Sequence, residues 1–148
     1  MKNLLSYLSF RGRANRQRYW VTNVTLVVFV FIAFILAFSA GAIAPAVGGV
    51  FALPILVLFF ASLAVSARRL HDRNKSAWWL ILLWLVPTLI SLLGAAAGEG
   101  GSEAASLIRV LGLPFSVWAF IELGCLKGTT GPNRYGDDPL QPTAEVFA

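Results

Sequence analysis

Four long apolar segments alternate with short polar segments along this chain of 148 residues. The apolar segments cover about residues 21–43, 47–67, 77–97 and 107–126. Each has the length of about 20 mostly apolar residues that an α-helix needs to cross a bilayer. The pattern therefore predicts an all-α membrane protein, built as a bundle of four transmembrane helices.

The remaining segments predict the connections of this bundle. Residues 44–49 contain one proline and two glycines and are predicted to form a short uncharged turn. Residues 98–103 are predicted to form a flexible loop, and residues 127–148 an irregular tail. Pro54 lies near the start of the second apolar segment, where its missing backbone donor predicts a kink or local break. Pro87 and Pro114 lie inside the third and fourth segments.

Residues 1–20 form a basic segment that precedes the first apolar run. A short amphipathic helix on the membrane surface is predicted near its start, formed around Leu4, Leu5, Tyr7 and Leu8. The apolar run that follows exceeds the ~7–15 residues of a signal peptide, so we expect an uncleaved first helix. Residues 1–148 are thus predicted to form a single integral membrane domain.

Composition agrees with membrane insertion and excludes several other classes. Hydrophobic residues make up 57% of the chain and charged residues 13%, whereas soluble domains average about 25% charged residues. Cys125 is the single cysteine, which rules out an internal disulfide and a cysteine metal cage. No metal and no cofactor is predicted. The net charge of +5 comes from short basic blocks beside apolar runs, so the expected partner is the lipid bilayer rather than nucleic acid.

The distribution of Lys and Arg predicts the orientation. Cytoplasmic loops of membrane proteins carry an excess of these residues. The turn at 44–49 and the loop at 98–103 contain none, although Arg109 lies just inside the fourth span. The basic residues fall in the first segment, the second polar loop and the tail: Lys2, Arg11, Arg13, Arg16, Arg18, Arg68, Arg69, Arg73, Lys75, Lys127 and Arg134. Both termini are therefore predicted to be cytoplasmic.

Residues 68–79, called here the central polar segment, hold the densest group of polar side chains. Asp72 follows Arg68 and Arg69 by four and three residues, so it is within pairing reach of either if the helix continues. His71 beside Asp72 raises the alternative of a membrane-embedded enzyme. Adjacent residues of a helix do not face each other, however, and no nucleophile stands at a recognisable spacing. A structural role for Asp72 is the favoured interpretation.

Two further features belong to the membrane boundary. Tyr19, Trp20, Trp78 and Trp79 are placed where amphipathic rings anchor helices at the interface. Glu122 is the one acid inside a predicted span, and charges there are costly unless paired. We expect it to pair with Lys127 or with an arginine of the central polar segment. The alternative is a proton or cation site in a small transporter or channel.

Three motifs in order resemble a known family. They are Ser9-Phe10-Arg11-Gly12-Arg13 with Arg16 and Tyr19-Trp20, then Ala67-Arg68-Arg69-Leu70-His71-Asp72 with Trp78-Trp79, then Gly128-Thr129 with Asn133-Arg134-Tyr135-Gly136. The chain resembles the bacterial inner-membrane family catalogued as domain of unknown function 805. The resemblance implies a small multi-pass membrane protein and no established activity. Asn74 and Ala77 stand where that family usually has glycine; Asn74 can keep a left-handed turn, whereas Ala77 cannot adopt a positive φ comfortably.

The predicted topology places the three basic segments on one membrane face. Arginine is suited to phosphate groups because it makes bidentate contacts. The predicted function is that of a non-enzymatic inner-membrane protein whose cytoplasmic face binds anionic lipid headgroups or a protein partner. The partner is either another membrane protein or a second copy of the chain in a homo-oligomer. The candidate site comprises Arg13, Arg16, Arg68, Arg69, His71, Asp72, Arg134 and Tyr135.

Overall fold

A computed structural model of the chain describes residues 8–39, 44–97 and 103–141, and helices are the only regular elements longer than an isolated bridge within these ranges. The described ranges contain four α-helices and two π-helical segments. They are α1 (Arg16–Ser39), α2 (Ala44–Asp72), π1 (Ile81–Leu85), α3 (Val86–Ala96), α4 (Glu103–Ala119) and π2 (Phe120–Cys125). The all-α class is thereby confirmed.

Among the described residues, three helical stretches are long and apolar enough to cross a membrane: Arg16–Leu36, Leu53–Asp72 and Ala105–Cys125. The stretch Ile81–Ala96 is apolar but shorter. Large apolar side chains cover the outside of these helices, with Phe31, Phe34 and Leu111 each more than 60% exposed. Outward-facing apolar side chains suit a lipid environment, since water would not tolerate so large a patch.

The helices form two hairpins. Helix α1 packs along α2, and α3 packs along α4, while π2 makes the principal contacts between the hairpins by touching α1 and α2. A small core lies at this junction, where Leu70, Leu83 and Leu123 are buried against one another. Asn23 and Ser62 join α1 to α2 through a hydroxyl-to-amide-oxygen hydrogen bond of 2.6 Å. The hairpins are therefore joined near the ends of α2 and π2.

The predicted turn at residues 44–49 is wrong, because these residues form the first turns of α2. Pro45 is the second residue of this helix, and proline is tolerated in the first turn, where its missing N–H would have no helical partner. Glycine is also more frequent in membrane helices than in soluble ones. Of the predicted loop at 98–103, only Glu103 is described, and it begins α4. Leu4, Leu5 and Tyr7, which carried the predicted interfacial helix, lie outside the described residues.

Helix α2 continues five residues beyond the predicted span and ends in a Schellman arrangement. The N–H of Lys75 donates to the Leu70 carbonyl at 2.8 Å, and that of Asn74 donates to the His71 carbonyl at 2.9 Å. Asn74 has a φ of 58°, so its predicted left-handed turn is confirmed, and Ala77 is not among the described residues with positive φ. The extension carries Arg68, Arg69 and Asp72 on helical backbone. Their geometry is therefore fixed by α2.

The third apolar segment is not one continuous α-helix. π1 ends at Leu85, and Pro87 stands in the first turn of α3. Proline has no N–H to donate to the carbonyl four residues earlier, which explains an interruption at this point. The interruption at Pro87 was not predicted, whereas Pro54, where a kink or local break was predicted, and Pro114 lie inside the continuous helices α2 and α4.

Candidate functional site

The N-terminal segment docks on the end of α2. The Ala14 N–H donates to the Arg68 carbonyl at 3.1 Å, and His71 Nδ1 lies 3.1 Å from the Gly12 carbonyl oxygen. Gly12 has a φ of +86°, a conformation that residues with a side chain rarely adopt. This turn brings Arg13 alongside the last turn of α2.

Asp72 is the centre of a buried ion cluster. Its Oδ1 accepts from Arg13 Nε at 3.0 Å and lies 2.9 Å from Arg13 Nη2, and its Oδ2 accepts from Arg69 Nη1. The three side chains are 5%, 1% and 0% exposed, respectively. The cluster of one carboxylate and two guanidinium groups carries a net positive charge away from water. The remaining N–H donors of the two arginines therefore need acceptors of their own.

Backbone carbonyls of the tail and of π2 supply those acceptors. Arg13 donates to the Thr129 carbonyl at 2.5 Å and to the Gly131 carbonyl at 2.6 Å. Arg69 donates to the Leu123 carbonyl at 3.0 Å and to the Leu126 carbonyl. The last carbonyls of a helix have no intrahelical partner and attract cations. Arg69 thus donates hydrogen bonds to carbonyls at and just beyond the end of π2 while it pairs with Asp72.

Thr129 closes the cluster from the tail side. Its N–H and its hydroxyl both donate to the Asp72 carbonyl, at 2.8 and 2.9 Å. Gly128 precedes it, and a Cβ at that position would overlap the Asp72 carboxylate. The close approach of the tail to Asp72 therefore requires a glycine at position 128. Thr129 therefore ties the start of the tail to the last residue of α2.

The second half of the tail covers the end of α2. The Tyr135 ring stacks on His71 with centroids 3.9 Å apart and planes 6° apart. Asn133 Nδ2 donates to the His71 carbonyl at 3.0 Å, and Arg134 donates to the Asn74 carbonyl at 2.9 Å. His71 therefore faces Gly12 and Tyr135, whereas the Asp72 carboxylate faces two arginines.

Glu122 forms a second ion cluster nearby. Its carboxylate lies 2.5 Å from Arg73 Nε and 2.8 Å from Lys75 Nζ, and its side chain is 4% exposed. Of the two expected kinds of partner, the structure shows an arginine of the central polar segment. Lys127 contributes its backbone carbonyl, which accepts from Arg73 at 2.9 Å. The acid in the predicted fourth span is thus neutralised by two cations.

Asp138 orders the last described turn. Its carboxylate accepts from the N–H groups of Leu140 and Gly131, both at 3.0 Å. The hydrogen bond from Leu140, aided by that from Gly131 and by the charge of Arg13, holds the pKa of Asp138 below its ordinary value. The turn that presents the Gly131 carbonyl to Arg13 is therefore itself held by a charged group.

The structure brings together Arg13, Arg69, His71, Asp72, Arg134 and Tyr135 from the predicted site. Arg68 is buried beside them, and its Nε donates to the Ala64 carbonyl at 3.3 Å. Arg16 lies at the edge, exposed, with Nη1 3.2 Å from the Cys125 carbonyl oxygen. Within the described residues, no group of three or more His, Cys, Asp or Glu side chains is arranged to hold a metal ion.

Of the four predicted interface aromatics, Tyr19, Trp20 and Trp79 contact other helical segments, whereas Trp78 is largely exposed. Tyr19 packs against the small core, and Trp20 Nε1 donates to the Gly124 carbonyl at 3.2 Å. Trp78 is 77% exposed, and Trp79 meets Trp118 edge to face. A Cβ on Gly124 would lie 2.6 Å from the Trp20 ring. Gly124 was not predicted from the sequence, although small residues are enriched where membrane helices pack closely.

The fold and the buried polar clusters at one end of it define an all-helical integral membrane protein. The chain belongs to the family described as "Protein of unknown function (DUF805)", whose model matches residues 7–137. It is 31% identical over 145 residues to inner membrane protein YhaH of Escherichia coli (strain K12), covering 96% of this chain and 97% of that protein.

Two further relatives from Escherichia coli (strain K12) have similar coverage. Inner membrane protein YhaI is 27% identical over 137 residues, which cover 92% of this chain and 90% of the relative. Uncharacterized protein YiiR is 29% identical over 135 residues, which cover 88% and 85%, respectively. No solved structure matches the chain. The chain is thus a multi-pass protein of the bacterial inner membrane, as its helices and its relatives indicate.

Proposed function

We propose that this chain is a non-enzymatic inner-membrane protein, with both termini in the cytoplasm, whose cytoplasmic face binds anionic lipid headgroups. The observation that carries the proposal is the meeting of three basic segments at one end of the bundle. Arg13 from the first segment reaches Asp72 at the end of α2 and Thr129 in the tail. That end of the bundle, called here the polar end, concentrates positive charge where anionic lipids of the inner leaflet would meet it.

The arginines of the polar end have two different roles in this proposal. Arg13 and Arg69 are buried and direct their donors at Asp72 and at backbone carbonyls, so they stabilise the face rather than bind a headgroup. Four other basic residues have exposed side chains and are called here the basic rim: Arg11, Arg16, Lys127 and Arg134. The rim keeps Arg16 and Arg134 of the sequence-based site, adds Arg11 and Lys127, and leaves out the buried arginines.

The geometry favours this role over a transporter that uses Glu122. A site for a proton or cation needs a carboxylate that can exchange its partner. Glu122 is instead held by Arg73 and Lys75 together. Pairing with two cations suits a structural role for Glu122 near the membrane interface better than a role in transport.

The geometry likewise favours a structural role for His71 over catalysis. Its ring is stacked on Tyr135 and its Nδ1 faces a backbone carbonyl. The Asp72 carboxylate, which an acid–base pair would need beside the imidazole, is occupied by Arg13 and Arg69. The enzyme hypothesis makes one distinct prediction, loss of an activity in a folded His71→Ala variant.

The proposal is tested by the lipids that the purified protein retains. Protein in mild detergent is mixed with equal amounts of phosphatidylglycerol and phosphatidylcholine, and bound lipid is counted by native mass spectrometry. We expect the wild type to prefer phosphatidylglycerol. A variant with all four rim residues changed to Gln should lose that preference, because each basic residue near an anionic surface contributes about 1 kcal/mol.

The matched control is Arg109→Gln, which removes one exposed positive charge from α4, outside the basic rim. It should keep the preference for phosphatidylglycerol. Equal retention of both lipids by the wild type, or unchanged preference in the fourfold variant, would overturn the proposal. Flux through proteoliposomes that is lost in Glu122→Gln would support the transporter instead.

A further inference from the structure

A large groove separates the two hairpins next to their junction. It has a volume of about 530 Å³ and is lined by α1 on one side and by π1, α3, α4 and π2 on the other. Tyr19, Trp20, Trp84 and Phe120 supply aromatic walls, and Ser91 lies farther along α3. The volume falls within the ~300–1,000 Å³ typical of small-molecule sites. Because the walls belong to apolar helices, the groove is suited to a hydrocarbon chain.

The polar end of the groove is marked by Arg16. This residue precedes Tyr19 and Trp20 by three and four positions on α1, so it lies on the same face about 4.5–6 Å further along the axis. Trp20 Nε1 binds the Gly124 carbonyl, and Arg16 Nη1 lies 3.2 Å from the next carbonyl, that of Cys125. Arg16 therefore continues the seam between α1 and π2 beyond the aromatic walls.

A second, polar pocket of about 250 Å³ adjoins Arg16. Lys127 lies on its lining with an exposed side chain. Asp72 and Arg69 also contribute, but they pair with each other. The other acid in the lining, Asp138, accepts two backbone hydrogen bonds. Arg16 and Lys127 are thus the exposed cations of this pocket, while the negative charge of Asp138 is hydrogen-bonded by two backbone N–H groups.

We infer that one anionic phospholipid binds along this seam, with its phosphate at Arg16 and Lys127 and one acyl chain in the groove. The inference rests on the proposed function and gives it a defined site. An apolar groove beside two exposed cations matches the two chemical halves of such a lipid. A guanidinium group also offers several N–H donors to phosphate oxygens.

Two variants separate the halves of the site. Arg16→Gln/Lys127→Gln removes the cations, and Ser91→Trp fills the groove from an exposed position. Their matched controls are Arg11→Gln/Arg134→Gln, which removes two rim charges outside the seam, and Ser106→Trp, which places the same ring on an exposed part of α4. Melting temperatures in detergent show whether each variant is folded. Bound phosphatidylglycerol and phosphatidylcholine are counted by native mass spectrometry.

The expected results differ between the variants. Arg16→Gln/Lys127→Gln should bind phosphatidylglycerol at least about tenfold more weakly. Ser91→Trp should lose the tightly bound molecule of either lipid, since the groove holds a chain whatever the headgroup. Ser106→Trp should retain it, and Arg11→Gln/Arg134→Gln should lower phosphatidylglycerol binding less than Arg16→Gln/Lys127→Gln does, because its charges lie outside the seam. This pattern would support the seam.

Other results overturn the inference without overturning the proposed function. Equal losses in the two double variants would mean that the lipid is held by the rim as a whole. Wild-type binding in folded Ser91→Trp would exclude the groove as the chain site. If the fourfold rim variant also keeps its preference for phosphatidylglycerol, both the seam and the proposed function are wrong.

Discussion

Arg13 Nε donates to Asp72 Oδ1 at 3.0 Å across 59 residues of sequence, and both side chains are buried. This bond joins a segment that precedes α1 to the last residue of α2. The same guanidinium group reaches the tail through the Thr129 and Gly131 carbonyls. One side chain therefore connects three segments that are far apart in the chain.

Removing the charge of Asp72 should destabilise the protein strongly. Asp72→Asn leaves the guanidinium groups of Arg13 and Arg69 buried without their counter-ion. Breaking a buried ion pair from one side costs about 3–5 kcal/mol. The free energy of unfolding, measured by denaturant titration in detergent micelles, should fall by that amount. Asp137→Asn, at an exposed position, is the control. If Asp72→Asn lowers the free energy of unfolding no more than this control does, Asp72 is not central to the cluster.

Replacing Arg13 by lysine should release the tail while the charge is kept. Lysine has a single ammonium group and cannot reach Asp72, Thr129 and Gly131 together. Hydrogen exchange should accelerate in residues 128–136 of Arg13→Lys. The exposed Arg11→Lys tests whether any change in this segment has the same effect. Unchanged protection of the tail in Arg13→Lys would contradict the role given to this residue.

Gly128→Ala should destabilise the protein, because the new methyl group would overlap the Asp72 carboxylate. Overpacking of this kind typically costs about 1–3 kcal/mol. The comparison is Gly112→Ala, where the nearest side-chain atom to the new Cβ is 3.5 Å away, an ordinary contact. That change lies inside α4 and should be neutral or slightly stabilising. Thermal melting of both variants in the same detergent checks the difference, and equal melting temperatures would show that the tail does not approach Asp72 so closely.

Glu122→Gln should weaken the junction between the hairpins. The amide keeps the shape of the side chain but loses its charge, so Arg73 and Lys75 lose their counter-ion. Hydrogen bonds to charged groups contribute about 1.5–3 kcal/mol, and a loss of that order is expected in the free energy of unfolding. The exposed acid at the start of α4 provides the control as Glu103→Gln. Equal stability of the two variants would show that the Glu122 ion pairs add nothing.

Acidification should loosen the Asp138 turn only at low pH. The folded-state pKa of this carboxyl is lowered below the ordinary value of 3.8, chiefly by the N–H of Leu140. Its contribution to stability is therefore complete above pH 3.8 and is lost as the pH falls through the lower folded-state pKa. In an NMR titration, the amide signals of Leu140 and Gly131 should move together with a midpoint below 3.8. A midpoint above that value would contradict the assignment, and Asp138→Asn should abolish the titration.

The sequence pattern predicted the helices and the left-handed turn at Asn74 because these features depend on local chemistry. Apolar runs of membrane length identify helices directly, and Asn is one of the few residues that tolerates positive φ. The same local reasoning failed at residues 44–49. Proline and glycine there suggested a turn, but a proline in a first helical turn has no hydrogen bond to lose.

The polar clusters could be predicted only in outline. The pairing of Asp72 with a neighbouring arginine follows from helical spacing, whereas its partner Arg13 does not. The acceptors of Arg13 and Arg69 are mostly backbone carbonyls, at Leu123, Thr129 and Gly131. Every residue has a carbonyl, so a sequence carries no mark of which ones accept. Glu122 lies in π2 and pairs with Arg73 and Lys75; an arginine of the central polar segment was predicted as its partner, but Lys75 was not.

The central claim is that the Arg13–Asp72 pair holds the polar end together, and a double-mutant cycle tests it most directly. Free energies of unfolding are measured for the wild type, Arg13→Gln, Asp72→Asn and the double variant. Groups in one ion network usually show coupling energies of about 0.5–3 kcal/mol. We predict a coupling in the upper half of that range, because both side chains are buried. Losses that add to within about 0.5 kcal/mol would contradict the claim.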